Sequence, residues 1–410
     1  MNQTDKKIVR ELAKQYMEMA LSDKQQKMNQ RMRDTNDLKL VRPPVLIDEI
    51  PWYQINVNDE LTCLCQEPRA RAVELDFRKA LYRWKYFKAD TIFDPFFRVR
   101  MAYDSTGNGM EERIEEDILR TDSENNIISH SYHDMLAEEE DLEYLKIPEF
   151  TLRPDVDEEN MNFYTDLLGD AMPVRLVGRN YLYFAPWDRI TRYRGMSEIM
   201  YDLYDRPEFL HKIMAKFCAG GIAEMDFIEK YSHVDPTVSE LHCTPGLVSG
   251  LAEDGWKATW FRGMAQPFSS ISPAMHKEFE IDYIKPMAER FAYSYYGCCE
   301  PLDNKIDLIK SISNLRKIGV SPWADVNSCA EQIGGDYVYA RKPNPSHVAL
   351  STDPEVVRRE TEEAVQACIR NGCPCEFVLK DISTVSHKPE NLILWADTVA
   401  EVLDRYYGRD

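Results

Sequence analysis

The stretch Tyr295-Tyr296-Gly297-Cys298-Cys299-Glu300-Pro301 decides how this chain is interpreted. It ends an apolar, aromatic run over 292–297 that is typical of a buried strand, and a helical pattern follows over 303–313. A glycine, two thiols and a carboxylate therefore stand where a strand gives way to a helix. In α/β barrels, this is where the active-site residues lie. The alternative interpretation is that both thiols are small buried hydrophobic side chains.

Similar apolar runs recur along the chain and alternate with helical patterns, among them 208–231, 274–291 and 355–371. Strands that alternate with helices indicate parallel βα units. The runs with strand character are Val41–Ile47, Thr91–Val99, Val174–Phe184, Val238–Cys243, Ala258–Met264, Ala292–Gly297, Ile318–Pro322, Tyr337–Ala340 and Glu376–Leu379. Their number and spacing predict an α/β fold, a (β/α)8 TIM barrel with an N-terminal helical extension.

The chain divides into two predicted parts. Residues 1–35 are charged and helical in pattern and form the extension, and residues 36–410 form the barrel domain. Within the barrel domain, residues from about 104 to 160 are rich in Asp, Glu and Asn. We expect that segment to be a polar insertion.

Composition excludes some classes of function. The net charge of −20 lacks the basic surface that nucleic acids require. No stretch reaches the ~18 apolar residues of a membrane span, and the N-terminus has no signal-peptide core. Ten cysteines without a secretory signal are typical of free thiols in a reducing cytosol. The sequence therefore predicts a cytoplasmic protein with neither a nucleic-acid nor a membrane partner; a homodimer is left open.

The strand ends provide candidate metal ligands. Cys298 and Cys299 are soft ligands of the kind that zinc prefers. His242 lies at the end of the predicted strand 238–243, two residues after Glu240, so both side chains should share one face. The three candidate metal ligands are therefore His242, Cys298 and Cys299. For His242, the alternative is an ordinary core histidine.

Further polar and aromatic residues at strand ends are candidates for the rest of the site. Glu240, Glu300 and Asp381 could act as acids or complete a ligand set. The adjacent cations Arg341 and Lys342 indicate an anionic substrate group, or else a solvated pair. The remaining candidate substrate-binding residues are Gln266, Tyr296 and Trp323. An aromatic lining with few charges suits a small organic molecule.

Several phrases resemble the uroporphyrinogen decarboxylase superfamily, most strongly over residues 172–405. They are GRNYLYFAPW, RGMSEIMYDLYDRPEFLHKIM, SPAMHKEFEIDYIKPMAERF, YYGCCEPLDNKIDLIKSI, SPWADV, YARKPNP and EFVLKDIST. Within that group the chain is more similar to the methyltransferase branch than to the decarboxylases. The resemblance implies a TIM barrel with its site at the C-terminal mouth. In the methyltransferases, zinc is held by a His-x-Cys strand end and a later Cys.

This sequence departs from both branches. Tyr296 stands where the histidine of His-x-Cys belongs, and Lys380-Asp381 stands where the later cysteine would fall. The resemblance therefore carries over one thiolate ligand, Cys298 or Cys299. Asp48-Glu49 stands where the arginine signature of the decarboxylase belongs, which argues against a porphyrin substrate.

The leading hypothesis is a methyltransferase. It would move a methyl group between a small methoxylated or methylated substrate and a corrinoid protein, with zinc assisting. The chain has no Asp-x-His-x-x-Gly motif, so the corrinoid would arrive on a partner protein. Two alternatives remain: a metal-free decarboxylase or lyase, in which Arg341 and Lys342 stabilise negative charge, and an inactive barrel that serves as a binding subunit.

Overall fold

The computed structural model describes residues 2–119, 129–231, 233–237 and 239–409. Four sequence predictions extend beyond the described residues: the helical extension at residue 1, the polar insertion at 120–128, the predicted strand at residue 238 and the barrel domain at residue 410.

The described residues form α-helices and short strands, which we number along the chain. The strands are β1 (Val45–Ile47), β2 (Phe97–Arg100), β3 (Tyr103–Ser105), β4 (Glu116–Leu119), β5 (Ser129–Tyr132), β6 (Phe150–Leu152), β7 (Val174–Val177), β8 (Tyr181–Phe184), β9 (Trp260–Gly263), β10 (Tyr293–Tyr296), β11 (Leu315–Val320), β12 (Val338–Arg341) and β13 (Cys375–Leu379). The helices are α1 (Gln3–Ala20), α2 (Asp23–Asn36), α3 (Pro68–Tyr86), α4 (Pro154–Leu168), α5 (Pro186–Arg194), α6 (Met196–Asp205), α7 (Pro207–Lys230), α8 (Pro273–His276), α9 (Asp282–Ala288), α10 (Ile306–Ile309), α11 (Val326–Ile333), α12 (Pro354–Asn371) and α13 (Glu390–Tyr407).

A seven-stranded parallel sheet carries the candidate site. Its strand order is β1-β13-β12-β11-β10-β9-β8, and every neighbouring pair is parallel. The sheet curls, because Trp260 of β9, Tyr295 of β10 and Ala340 of β12 pack in one cluster on its inner face. The α/β class is therefore confirmed, with the sheet forming half of a barrel.

The predicted closure of eight strands is not seen in the described residues. The edge strands β1 and β8 are not paired with each other. Instead, residues 239–245 line a cavity of about 340 Å³ together with Ile47 of β1 and Tyr181 of β8. A loop thus lies where the sheet would need further strands to close.

Two predicted strands differ from the structure. The run over 174–184 splits into β7 and β8, and β7 pairs with β2 in a separate two-stranded sheet. The predicted strand over 238–243 is wrong for its described residues, which form a loop with one isolated pairing of Leu241 and Thr244. The alternation of polar and apolar residues there resembled a strand, but these residues pair with no strand of the sheet.

Two of the three predicted helices named above begin at a side-chain cap, whereas α7 follows Arg206 without one. The Ser272 hydroxyl accepts from the Met275 amide before α8, and Asp353 accepts from the Glu355 amide before α12. Between α8 and α9 the chain makes a π-turn over Lys277–Ile281. In the region of the predicted insertion, β3 pairs with β6 and β4 pairs with β5, both antiparallel. Among the helices of the described residues, none has the length and apolar character needed to cross a bilayer.

The inner face of the sheet contains buried charges. The Lys317 ammonium lies 2.7 Å from the Glu376 carboxylate, and both side chains are fully buried. The Thr244 hydroxyl donates to the same carboxylate at 2.9 Å, which ties the loop to the sheet. Such a pair is stable only while both members are present, because either charge alone would be buried without compensation.

We expect Lys317→Met to destabilise the protein by about 3–5 kcal/mol, since it leaves Glu376 unpaired in the core. The double variant Lys317→Met/Glu376→Leu should recover most of that loss, because no buried charge remains. Urea unfolding followed by circular dichroism measures both. The control is Lys39→Met, which removes the exposed Lys39–Asp34 pair and should change little. A Lys317→Met loss no larger than that of the control would contradict the expectation.

Candidate functional site

A close backbone contact fixes the turn after β10. Gly297 has a φ of +89°, a conformation that favours glycine. A Cβ on Gly319 of the neighbouring strand β11 would lie 2.5 Å from the Gly297 carbonyl oxygen and 3.1 Å from the Cys298 nitrogen. Only a glycine leaves room there. The two glycines therefore allow the close approach that orients Cys298.

Cys298 is a buried thiolate. Its Sγ accepts a hydrogen bond from Lys380 Nζ at 3.0 Å and lies 3.6 Å from Cys299 Sγ. The hydrogen bond from Cys299, with further help from His242, Arg262 and Lys380, holds the pKa of Cys298 well below its usual range although burial raises it. A thiolate is the form of cysteine that binds metals and attacks electrophiles.

The neighbouring thiol has the opposite character. Cys299 is half-buried, and its Sγ lies 2.6 Å from Asp381 Oδ2 and 3.6 Å from Cys298 Sγ, so its single proton is shared between these two acceptors. Its hydrogen bond to Cys298, followed by burial, raises the pKa of Cys299 far above its ordinary range. The structure thus brings the predicted residues Cys298, Cys299 and Asp381 together, and Cys299 keeps its proton.

Glu49, which the sequence analysis gave no role, completes this side of the site. Its Oε2 accepts from the Asp381 amide at 2.8 Å and lies 3.6 Å from Lys380 Nζ. Burial raises the pKa of Glu49 to about 7, with Lys380 opposing and Asp381 adding to the shift. Its position after β1, the strand paired with β13, is the signal that could have identified it.

Glu300 is a positioning residue. Its side chain is buried and accepts hydrogen bonds from the Cys298 amide at 2.9 Å and from the Ala265 amide at 3.2 Å. Burial and the Cys298 thiolate raise the pKa of Glu300. The carboxyl therefore joins the ends of β9 and β10.

The loop over 239–245 brings His242 to the site but not Glu240. The His242 ring lies 5.0 Å from the Tyr183 ring, and burial lowers the pKa of His242. Glu240 is instead exposed and forms an ion pair with Arg100. The expectation that both side chains share one face depended on the strand that does not form.

A candidate metal site includes His242. One ligand-type atom each from Glu49, His242 and Cys243 lie within 4.8 Å of one another, and no other group of three among the described residues meets that distance. The predicted trio of His242, Cys298 and Cys299 is therefore more spread out than this one. Burial raises the pKa of Cys243 to about 12.

The two predicted cations lie on opposite sides of β12. The Arg341 guanidinium donates to the Ser321 carbonyl at 2.6 Å and to Glu360 of α12 at 3.0 Å. It therefore links the sheet to a helix. The Lys342 side chain is buried beside Tyr295, with its ammonium 5.3 Å from the ring centroid.

The other predicted substrate-binding residues are dispersed. Tyr296 is buried and its hydroxyl lies 2.6 Å from His276 Nε2, away from Cys298. Trp323 is 70% exposed. Gln266 lines a cavity of about 710 Å³ together with Asp188 of α5. Burial, and then the charge of Glu300, raise the pKa of Asp188 from 3.8 to about 7.

Asp188 is a site residue that the sequence analysis left without a role. Its Oδ1 is buried and has no hydrogen-bond partner among the described residues. Its position directly after β8, at the start of a helix, is the same signal that identified Cys298. Because the cavity opens beside it, Asp188 can exchange protons with a bound molecule.

The chain is structurally similar to known proteins, among them a methyltransferase. A methyltransferase from Methanosarcina mazei superposes with a TM-score of 0.48 at 11% sequence identity, over 93% of this chain and 99% of that one. No family model matches this chain, and no curated protein matches it in sequence. At that identity and TM-score, the similarity does not determine the chemistry of the site described above.

We expect Asp188→Asn to raise the melting temperature at pH 8 but to leave it nearly unchanged near pH 4. The folded protein holds the Asp188 proton up to pH about 7, whereas the unfolded chain releases it near 3.8. The stability that this carboxyl contributes is therefore lost as pH rises through that window. The gain at pH 8 should be roughly 3 °C or more, measured by differential scanning calorimetry. Asp170→Asn, at an exposed carboxyl, is the control. A shift independent of pH would contradict this.

Proposed function

We propose that this protein is a methyltransferase that moves a methyl group between a small methoxylated or methylated molecule and a corrinoid protein, with zinc assisting. The observation that carries the proposal is the group of Glu49, His242 and Cys243, whose ligand atoms lie within 4.8 Å of one another after the carboxyl end of β1 and in the loop over 239–245. The sequence resemblance to the methyltransferase branch of the uroporphyrinogen decarboxylase superfamily supports it.

The residues present fit zinc. A thiolate, an imidazole and a carboxylate are the donor types that zinc takes in proteins. We assign Glu49, His242 and Cys243, whose ligand atoms lie within 4.8 Å of one another, as ligands, and Cys298 as the fourth. Cys299 suits this less well, because its pKa is raised far above the ordinary range and it keeps its proton. When bound, zinc would supply a Lewis acid that neutralises charge on a substrate oxygen.

The residues of the chain would manage the proton and the position of the substrate. The bond between the methyl carbon and the substrate oxygen would break with its electron pair staying on oxygen, while the methyl carbon forms a new bond to the cobalt of the partner protein's corrinoid. An alkoxide is a poor leaving group, so it needs a proton as it departs. The Asp188 carboxyl lines the cavity of about 710 Å³ and, with a pKa of about 7, can give its proton to an oxygen of a molecule bound there. Of the acids predicted from sequence, Glu300 would position Cys298 and Asp381 would hold Cys299.

The methyl acceptor would come on a separate chain, since the sequence has no corrinoid-binding motif. All ten cysteines are free, which suits a cytoplasmic location. The extension over 1–35 and the barrel domain over 36–410 stay the proposed division of the chain.

A metal-free lyase is the second candidate, and one observation favours it. Lys380 already neutralises the Cys298 thiolate at 3.0 Å, and Lys342 adds a second buried cation nearby. Cations so placed could stabilise the negative charge left on carbon when a carboxylate departs. Metal content separates the two functions.

We expect purified protein, without a metal-binding tag, to hold close to one zinc per chain by plasma mass spectrometry. His242→Ala and Cys298→Ser should each lower zinc by about tenfold or more, because each removes a ligand. Cys368→Ser, at a buried thiol on α12, is the matched control and should retain the metal. Glu49→Gln and Cys243→Ser should lower zinc as well, because both residues belong to the same group of ligand atoms.

Absence of zinc, even after the metal is supplied and the excess removed, would exclude the zinc-assisted reaction and favour the lyase. Zinc retained in both His242→Ala and Cys298→Ser would exclude the proposed ligands.

Activity provides the direct test. We expect the wild-type protein to methylate cob(I)alamin, standing in for the partner protein, from a panel of methoxylated compounds, with the change followed by absorbance. Asp188→Asn should slow turnover by roughly 100-fold or more, the usual contribution of a general acid. Release of CO₂ from carboxylated compounds without methyl transfer would identify the lyase, and no turnover of either kind would identify a binding subunit.

A further inference from the structure

Lys342 is the unbalanced charge of the inner face of the sheet. Its side chain is 1% exposed, and Nζ has no hydrogen-bond partner among the described residues. Burial alone would lower the pKa of Lys342, but Tyr295, Glu376 and the thiols Cys243 and Cys298 outweigh it and hold the pKa above its ordinary value. The ammonium therefore keeps its charge.

The other cations of the inner face each have at least one hydrogen-bond or ion-pair partner. Lys317 is paired with Glu376, and Lys380 is paired with the Cys298 thiolate. Arg262, which is fully buried, donates to the carbonyls of Gly263 and Gly297 at 2.8 Å each. Of these four cations, only Lys342 has no hydrogen-bond acceptor for its charged group among the described residues.

A second unpartnered polar group lies next to Lys342. Tyr295 is fully buried, and its hydroxyl also has no hydrogen-bond partner among the described residues. The Arg262 guanidinium lies 3.8 Å from the centroid of the same ring, on which Lys342 and Lys317 also act from 5.3 and 5.6 Å. Three cations thus surround the Tyr295 ring, whose hydroxyl donates no hydrogen bond among the described residues.

A buried charge without hydrogen bonds and a buried hydroxyl without a partner both destabilise the folded protein. Buried polar groups without partners are rare in native proteins and call for a specific explanation. An anion that accepts from both groups would remove the cost, and it would lie near Cys298, whose charge acts on Lys342.

We propose that Lys342 Nζ and the Tyr295 hydroxyl bind the carboxylate group of a small organic ligand. An ammonium and a hydroxyl match the two oxygens and single negative charge of a carboxylate. A phosphate would require more donors than these two groups offer, and both terminal nitrogens of Arg262 are already occupied by carbonyls. Arg341, the neighbouring cation, takes no part, because it faces Glu360 on the other side of the strand.

Entry to this site lies at the loop over 239–245. Leu241 packs on Trp260, Tyr295 and Ala340 and so covers the inner face. Among the described residues, the loop has only the Leu241–Thr244 pairing of its own and no ladder of hydrogen bonds to a strand. The Thr244–Glu376 hydrogen bond ties the loop to the sheet, so Leu241 is the side chain that an entering ligand would have to displace.

That this carboxylate belongs to the methyl donor rests on the proposed function, whereas the site itself does not. The substrate class would then be small methoxylated or methylated carboxylic acids. An equilibrium binding measurement tests the site without any turnover, so its failure would be distinct from failure of the methyltransferase proposal.

The test titrates benzoate and acetate into the purified protein by calorimetry, in buffers free of chloride and other small anions, with benzamide as the uncharged analogue. We expect at least one carboxylate to bind, and benzamide not to compete with it. Lys342→Met should weaken that binding at least about tenfold, and Tyr295→Phe should weaken it by a smaller factor. The matched control is Lys305→Met, at a buried lysine that donates to the Phe268 carbonyl; binding should be unchanged.

Thermal stability distinguishes a binding lysine from a structural one. Lys342→Met removes an uncompensated charge, so its melting temperature without ligand should equal or exceed that of the wild-type protein. Lys305→Met should lower it, because a carbonyl loses its donor. The proposal is overturned if Lys342→Met binds the carboxylate as the wild type does, if it is less stable than Lys305→Met, or if the wild type binds neither carboxylate up to about 20 mM.

Discussion

Charges enclosed on the inner face of the curled sheet have to be neutralised where they stand, and this constraint shapes the molecule. Lys317 is held by Glu376, with Thr244 fastening the loop to the same carboxylate. Lys380 is held by Cys298, and its charge adds to the effect of the Cys299 hydrogen bond in lowering the pKa of that thiol. The inner face of the sheet carries more cations than anions. This excess of positive charge favours both the ionised form of Cys298 and the binding of an anion by Lys342.

Apolar runs in the sequence were sufficient to identify the parallel sheet. Two helix starts could also be predicted from the sequence, because Ser272 and Asp353 cap the helices that follow them. The failure at 238–243 has a physical reason: period-two alternation predicts a strand only where a neighbour offers backbone hydrogen bonds, and here none pairs with it in the described residues. Whether the whole chain closes into a (β/α)8 barrel, and how it divides into domains, stay predictions.

The site was partly predictable for the same reason. Residues that follow strands identified Cys298, Cys299 and Asp381, which the structure places within one hydrogen-bonded group. The same rule could not tell Arg341 from Lys342, because adjacent residues at a strand end point to opposite faces. Glu49 and Cys243 join His242 through a loop conformation that no short pattern encodes.

Of the two adjacent cysteines Cys298 and Cys299, one is accessible to solvent and the other is reactive. The sulfur that is ionised is fully buried, whereas the sulfur nearer to solvent holds its proton tightly. A thiol reagent that selects for accessibility would therefore report on Cys299 and find it inert. Small electrophiles that can reach Cys298 at the carboxyl end of the sheet would react with a far more nucleophilic sulfur.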